Sequence, residues 1–291
     1  MMTGAPDPEP IIENGVLIGH EGDLFLAGGR HEVLRFMRGA RLSPRAVQTL
    51  HDNIVRRQVM AARHNARFLQ IVAPEKYVVY PENFPIPDPG FMAQAYLEAG
   101  HDDILYPVDL LRRPRQGRSY WQTDTHWTPM GLVAMAERIA QEAGIPSATI
   151  EAVASDLVAR LTVEGNFIGD LGRKLSPPRS EPKKVLPRHP GIVVHENGIG
   201  HDFTHPVNDG RLILVESPRA ISDRILLIFG DSYLFHGLDI LSRFFRRILF
   251  TRTRFFHEEM VEAARPHLVV SQMAERYMAS VVSELASEEL V

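Results

Sequence analysis

The chain has 291 residues, 44% of them hydrophobic and 23% charged, with a formal net charge of −4 at neutral pH. That balance excludes a binder of nucleic acid by bulk electrostatics. The absence of cysteine excludes disulfides, thiolate catalysis and cysteine-ligated zinc. The length suffices for one large α/β domain with elaborations.

Residues 1–15, acidic and proline-rich, read as a disordered lead-in with neither a basic n-region nor an apolar h-region. No window approaches the ~18 uninterrupted apolar residues of a membrane span. The literal reading of the chain as written is a cytoplasmic protein. Gly22–Gly29 contains a short strand between turns, and a short helix follows around Val33–Met37. Ser43-Pro44 is a strong helix start, serine as N-cap and proline in the first turn. Val47, Leu50, Ile54 and Ala61 share a face of that helix, which runs to about Asn65. Phe68–Val72 is the next strand, ended by Ala73-Pro74. A helix–strand succession of this kind, repeated later, argues for a parallel sheet with crossover helices. Residues 81–90 read as loop, Met92–Ala99 as a short helix and Ile104–Tyr106 as a short strand. Between the last two, His101-Asp102-Asp103 has the composition of a metal-ligand cluster, or of a polar turn.

Thr128-Pro129 starts another helix, with Leu132, Met135, Ala136, Ile139 and Ala143 as its buried stripe and Gly144 as its stop. A further helix spans about 150–160. The stretch 164–210 is irregular. Its proline-rich, basic part, with Lys183, Lys184 and Arg188, is either a rim for an anionic substrate or a solvated surface excursion. Ile192–Val194 and Leu212–Val215 read as a small antiparallel pair outside the core. Ile225–Phe229, five unbroken apolar residues, reads as a strand buried on both faces. One helix follows it, with Leu234, Leu238, Leu241 and Phe245 at helical spacing. Ile248–Phe250 and His267–Ser271 are two more strands, with Glu258–Ala264 helical between them. A last helix over about 273–287 buries Met278, Val281, Val282 and Leu285. The pattern predicts a single α/β/α sandwich over 16–291 with a mostly parallel sheet and an irregular insertion at about 164–220.

Two stretches carry chemistry. Gly230-Asp231-Ser232 joins the buried strand to a helix, which puts Ser232 at the carboxyl end of the sheet, where open α/β sheets hold ligands. Either Asp231 or Ser232 also makes a good N-cap, so the triplet by itself leaves both readings open. The second stretch is Tyr120-Trp-Gln-Thr-Asp-Thr-His-Trp127. Asp124 and His126 are two apart and on an extended backbone point the same way. A serine nucleophile needs a base, and the base needs an orienter; Ser232, His126 and Asp124 supply the three. A metal site on Asp124 and His126 is the competing reading, without visible further ligands.

These stretches, in this order, resemble the alginate O-acetyltransferase family (AlgX/AlgJ-like), a branch of the SGNH-hydrolase-like proteins. Asp124-Thr-His126-Trp127 is similar to that family's Asp-x-His-Trp motif, and Gly230-Asp231-Ser232-Tyr233 to its nucleophile motif. Ile71-Val-Ala-Pro-Glu-Lys76, Gly169-Asp-Leu171 and Glu275-Arg276 add to the likeness. The Asp-x-His pair precedes the serine, a permuted order relative to ordinary SGNH hydrolases. The usual Gly-Trp-Leu-Phe pattern near the N-terminus reads Gly22-Asp-Leu-Phe25 here. The resemblance implies O-acetylation of a polysaccharide such as alginate through an acetyl-serine, with no cofactor or metal. Its partners are then an acetyl donor, a carbohydrate acceptor and a polysaccharide-synthesis complex, and its usual compartment is the periplasm. The same machinery serves a carbohydrate O-acetyl esterase, and a non-catalytic carbohydrate-binding scaffold is the non-enzyme alternative. Ser232 N–H is the expected oxyanion donor, with Asn166 and Arg276 as further candidates. Arg276 is equally suited to a structural ion pair with a nearby carboxylate. Trp127, Tyr120 and Tyr233 are the aromatic candidates for substrate contact, with core packing as the alternative.

Overall fold

A computed structural model of the chain describes residues 9–199 and 210–284. Its first elements form a three-stranded antiparallel sheet, β1 (Ile12–Glu13), β2 (Val16–Ile18) and β3 (Leu24–Leu26). The expected lead-in is therefore shorter at its inner end. Asn14 and Gly15 both adopt positive φ, the turn that pairs β1 with β2, and asparagine–glycine is a sequence well suited to it. Two helices follow, α1 (Val33–Met37) and α2 (Pro44–Arg63). Ser43 Oγ accepts from Ala46 N at the start of α2, and Leu50, Ile54 and Ala61 are buried along one face.

Next come β4 (Arg67–Ala73), the short helices α3 (Lys76–Val79), α4 (Gln94–Glu98) and α5 (Val108–Arg112), then α6 (Pro129–Glu142) and α7 (Ser147–Ala159). The strand expected at 104–106 is reduced to one bridge, Ile71 to Leu105. A hairpin of β5 (Thr162–Phe167) and β6 (Glu181–Val185) stands apart as its own two-stranded sheet. The rest comprises β7 (Val193–Glu196), β8 (Arg211–Glu216), β9 (Ile225–Gly230), α8 (Ser232–Phe235), α9 (Leu238–Leu241), β10 (Arg247–Arg252), α10 (Glu258–Ala264) and β11 (Leu268–Ala274).

The main sheet has the order β4-β11-β9-β10-β8-β7. Its first four strands are mutually parallel, and β8 and β7 extend it antiparallel. On one face α6, α8 and α9 pack over Leu226, Ile228, Ile248, Phe250 and Val270. On the other, Ala61 of α2 and Val261 of α10 cover Leu227, Phe229 and Val269. Alternate residues of β9 thus point into two different cores, which is why the strand reads as an unbroken apolar run. The architecture is the expected α/β/α sandwich.

Three expectations are corrected. The pair β7–β8 is antiparallel, but β8 belongs to the main sheet, with Ile213 and Val215 buried against the core. The helix after Ser232 is two short pieces joined across Gly237, so the helical spacing from Leu234 to Phe245 arises from two helices and a turn. The last helix is absent over its described part: β11 stays paired with β4 as far as Ala274, and a 3-10 segment, Glu275–Ser280, follows. Met278 is buried as expected, Val282 is half exposed, and Leu285 lies outside the described residues. The pairing of β11 through Ala274 and the inward Glu275 carboxylate, which accepts the backbone N–H groups of Glu75 and Ala93, set the course of the segment instead.

Candidate active site

The loop between α5 and α6 is built to hold a fixed shape. Tyr120 and Trp127 form an antiparallel bridge across its neck, and Thr128 N donates to Ser119 O at 2.7 Å. Thr128 then caps α6, with Pro129 in its first turn. Gly131 allows α6 to start this close, because a Cβ there would stand 2.3 Å from Ser119 O. Between the two ends of the neck the backbone runs through successive bends rather than the extended conformation expected. The two side chains converge all the same, because Asp124 folds back to accept both His126 N and His126 Nδ1, at 2.9 and 2.6 Å.

Buried Lys76 anchors this loop from below. Its ammonium donates to the carbonyls of Trp121, Gln122 and Asp124 at 2.8, 2.8 and 3.0 Å, which uses all three of its hydrogens. Burial depresses its pKa to about 8, against the pull of the carboxylates of Asp23, Asp170 and Glu181. From the side, the stretch after β5 closes in. Glu181 accepts Thr123 N and Thr123 Oγ1, Asp170 N donates to Asp124 Oδ2 at 2.7 Å, and Asp170 accepts Thr125 N and Thr125 Oγ1. Gly169 sits so near that a Cβ would fall 2.2 Å from Thr123 O. Gly169, Asp170 and Glu181 of the 164–220 insertion therefore buttress the Asp124 loop, while Lys183 and Arg188 of its basic part are exposed.

Ser232 arrives from β9. Asp231 is the N-cap: its Oδ1 accepts Tyr233 N and its Oδ2 accepts Ala274 N. Ser232 is then free of the capping role, and its Oγ stands 2.8 Å from His126 Nε2. Among the described residues Ser232 N has no hydrogen-bond acceptor. Tyr233 OH donates to Thr125 O at 2.7 Å, tying the serine turn to the histidine loop. Burial works against ionisation of Asp124, but the hydrogen bond and charge of His126 and the N–H groups of Asp170 and His126 outweigh it. The carboxyl is held well below its usual range. An ionised Asp124 can only accept, so Nδ1 carries hydrogen and Nε2 keeps a lone pair toward Ser232. The arrangement can deprotonate a hydroxyl and stabilise the resulting imidazolium.

The other sequence candidates lie elsewhere. Tyr120, Trp127 and Tyr233 are buried in the core, Trp127 and Tyr233 edge to face with centroids 4.8 Å apart, and offer no ring face to a sugar. Asn166 is exposed on β5. Arg276 is buried in an ion pair with Glu75 at 3.1 Å, beneath the Tyr233 ring. That pair takes up its charge and leaves it a structural role rather than that of an oxyanion donor. Asp103 receives Tyr96 OH and His51 Nδ1 and so belongs to a polar cluster with its turn. Besides Lys76 and Glu181, the structure adds Asp170, whose carboxylate joins Asp124 and His126, all three within 4.8 Å. The ligating atoms of this trio are already engaged by one another, Thr125 and Ser232, which fits a hydrogen-bonded network better than an open coordination site.

No protein-family model matches this sequence, and no curated protein does. Solved structures do. The O-acetyltransferase domain of Pseudomonas putida AlgJ aligns over 94% of this chain and 95% of its own, at 19% identity and TM-score 0.51. The chain has the AlgJ-type fold. Bacillus cereus PatB1, solved with a sulfonyl adduct, matches over 90% of this chain and 97% of its own at 13% identity and TM-score 0.57. A DHHW family protein from Eubacterium siraeum matches over 94% of both chains at 11% identity and TM-score 0.57. The AlgJ-type fold therefore extends over nearly the whole chain, and the Asp124 loop and Ser232 turn lie within it. No helix among the described residues is long and apolar enough to cross a membrane.

Proposed function

We propose that this protein is a serine-dependent O-acetyltransferase acting on a carbohydrate hydroxyl. The observation that carries the reading is the hydrogen-bonded line Ser232 Oγ, His126 Nε2, His126 Nδ1, Asp124 Oδ1, with separations of 2.8 and 2.6 Å. In this reading Ser232 Oγ attacks the acetyl carbonyl carbon while its proton passes to His126 Nε2. The tetrahedral oxyanion is held by Ser232 N–H at the start of α8. His126 returns the proton to the departing oxygen as its bond to the acetyl carbon breaks, leaving acetyl-Ser232. An acceptor hydroxyl then attacks, gives its proton to His126, and departs as the acetyl ester while Ser232 recovers its hydrogen. Asp124 keeps the imidazole in the required tautomer and stabilises its charged form. The likeness to the O-acetyltransferase domain of AlgJ supports transfer over hydrolysis.

The test is incubation with 4-nitrophenyl acetate followed by intact-protein mass spectrometry. The native protein is expected to gain one acetyl group, and Ser232→Ala none, with unchanged circular dichroism. Addition of oligosaccharides separates the outcomes: an acetylated sugar marks a transferase, whereas acetate release indifferent to every sugar marks a carbohydrate O-acetyl esterase. Acetylation that persists in Ser232→Ala would overturn the serine assignment. A chelator is expected to leave the rate unchanged; loss restored by zinc would favour a metal at Asp124, His126 and Asp170.

A further inference from the structure

Behind the serine turn, at the carboxyl ends of β9, β10 and β11, lies a cavity of about 320 Å³. Gly230 and Asp231, the two residues ahead of Ser232, form part of its wall. Four arginines line it, Arg30, Arg57, Arg252 and Arg254, against two carboxylates, Asp231 and Glu284. Both carboxylates are engaged within the fold. Asp231 accepts the N–H groups of Tyr233 and Ala274, and Glu284 is paired with Arg57 at 2.5 Å. Arg252 has no carboxylate partner among the described residues. His31, also in the lining, is pushed down to about 4 by burial and by the charges of Arg30 and Arg276, so it adds no cation near neutral pH.

A second observation points to the same space. Gln272 lines the cavity and is 3% exposed. Its Oε1 accepts Asp231 N at 3.2 Å, which fixes the amide orientation, and its buried Nε2 has no partner. An unpaired buried donor is destabilising, a cost that a ligand acceptor oxygen would remove. Gly230 permits this approach, since a Cβ there would already stand 3.2 Å from Gln272 Oε1.

We propose that this cavity binds an oxyanion group, a carboxylate or a phosphate, with Gln272 Nε2 and the Arg252 guanidinium as its principal donors. A planar guanidinium and an amide N–H in the lining of one cavity suit the oxygens of an anionic group. A ligand anchored here sits behind the Ser232 turn, against Gly230 and Asp231. Its role as a substrate of the serine rests on the acetyl-transfer reading; the binding of the anion does not.

Calorimetric titration of the full chain with inorganic phosphate, glucuronate and glucose tests this. At least one of the two anions is expected to bind saturably and glucose not to bind. Arg252→Met and Gln272→Met should each weaken the anion by tenfold or more, and Arg252→Lys, which keeps the charge but loses the fork, by less. Binding by phosphate alone assigns a phosphate-bearing ligand, and binding by glucuronate alone a carboxylate-bearing one. If neither anion binds, or if Arg252→Lys and both methionine variants bind as tightly as the native protein, the proposal is overturned. Ser232→Ala is expected to bind the anion unchanged. Anion binding that survives while Ser232→Ala still turns over acetyl ester would refute the acetyl-transfer reading and leave the anion site standing.

Discussion

Asp124 does two jobs with one carboxylate. One oxygen accepts from both the backbone and the ring of His126, and the other accepts from Asp170 N. Asparagine in its place would keep the shape and lose the charge, and its amide would favour the wrong imidazole tautomer. Asp124→Asn is expected to lower kcat for acetyl-ester turnover by about 10⁴-fold, by analogy with other orienting aspartates. The folded-state pKa of Asp124 is depressed below its ordinary 3.8. Its contribution to stability is therefore complete above that value and is lost as the pH falls below it, through the folded-state pKa. Urea unfolding across a pH series should register this as acid sensitivity in the native protein that is shallower in Asp124→Asn. An equal acid slope in both would mean that the carboxylate contributes nothing to acid stability.

At the scale of elements, the histidine loop depends on Lys76, which begins α3 and lies far from it in sequence. An ammonium with three donors satisfies three carbonyls that a bent loop leaves unpaired; a neutral amine satisfies only two. Activity is therefore expected to decline as the pH rises and Lys76 deprotonates, at about 8. Lys76→Met should remove the declining limb and reduce kcat with little change in KM, because the lysine acts through loop geometry and touches no substrate. A pH–rate profile that keeps its alkaline limb in Lys76→Met would assign that limb to another group. Gly169 is the corresponding contact from the other side, and Gly169→Ala is expected to lower kcat by displacing Thr123 and Asp124.

The whole molecule is tied across its sheet by Arg57, on α2, and Glu284, beyond the 3-10 segment after β11. Arg57 is 5% exposed and donates to Glu284, Gln70, Ser271 and the carbonyl of Arg254. Removing one partner strands a buried charge, so Glu284→Ala is expected to destabilise the fold by about 3 kcal/mol. Replacing both, as Arg57→Met with Glu284→Leu, should recover most of that loss, because no unpaired charge then remains. Urea denaturation of the two variants measures the difference. A single variant as stable as the native protein would show that the other donors of Arg57 suffice.

Much of this was legible in one dimension because it depends on neighbours in the chain. The unbroken apolar run of β9 reports a strand with a core on each face, and Ser43-Pro44 and Thr128-Pro129 report helix starts through local capping. The types and order of Asp124, His126 and Ser232 name three complementary chemical roles without any coordinates. What the tertiary structure decided are contacts between distant segments, on which local pattern carries no information. Helical spacing after Ser232 looked continuous because two short helices and a turn happen to bury Leu234, Leu238, Leu241 and Phe245. The last segment looked helical until the inward Glu275 carboxylate, held by Glu75 and Ala93, set its course. Lys76, Asp170 and Glu181 gave no local sign of supporting the Asp124 loop, because each does so across 45 to 58 residues of chain. The unpaired amide of Gln272 likewise exists only where three strand ends enclose a space, and burial is a property of the assembled fold.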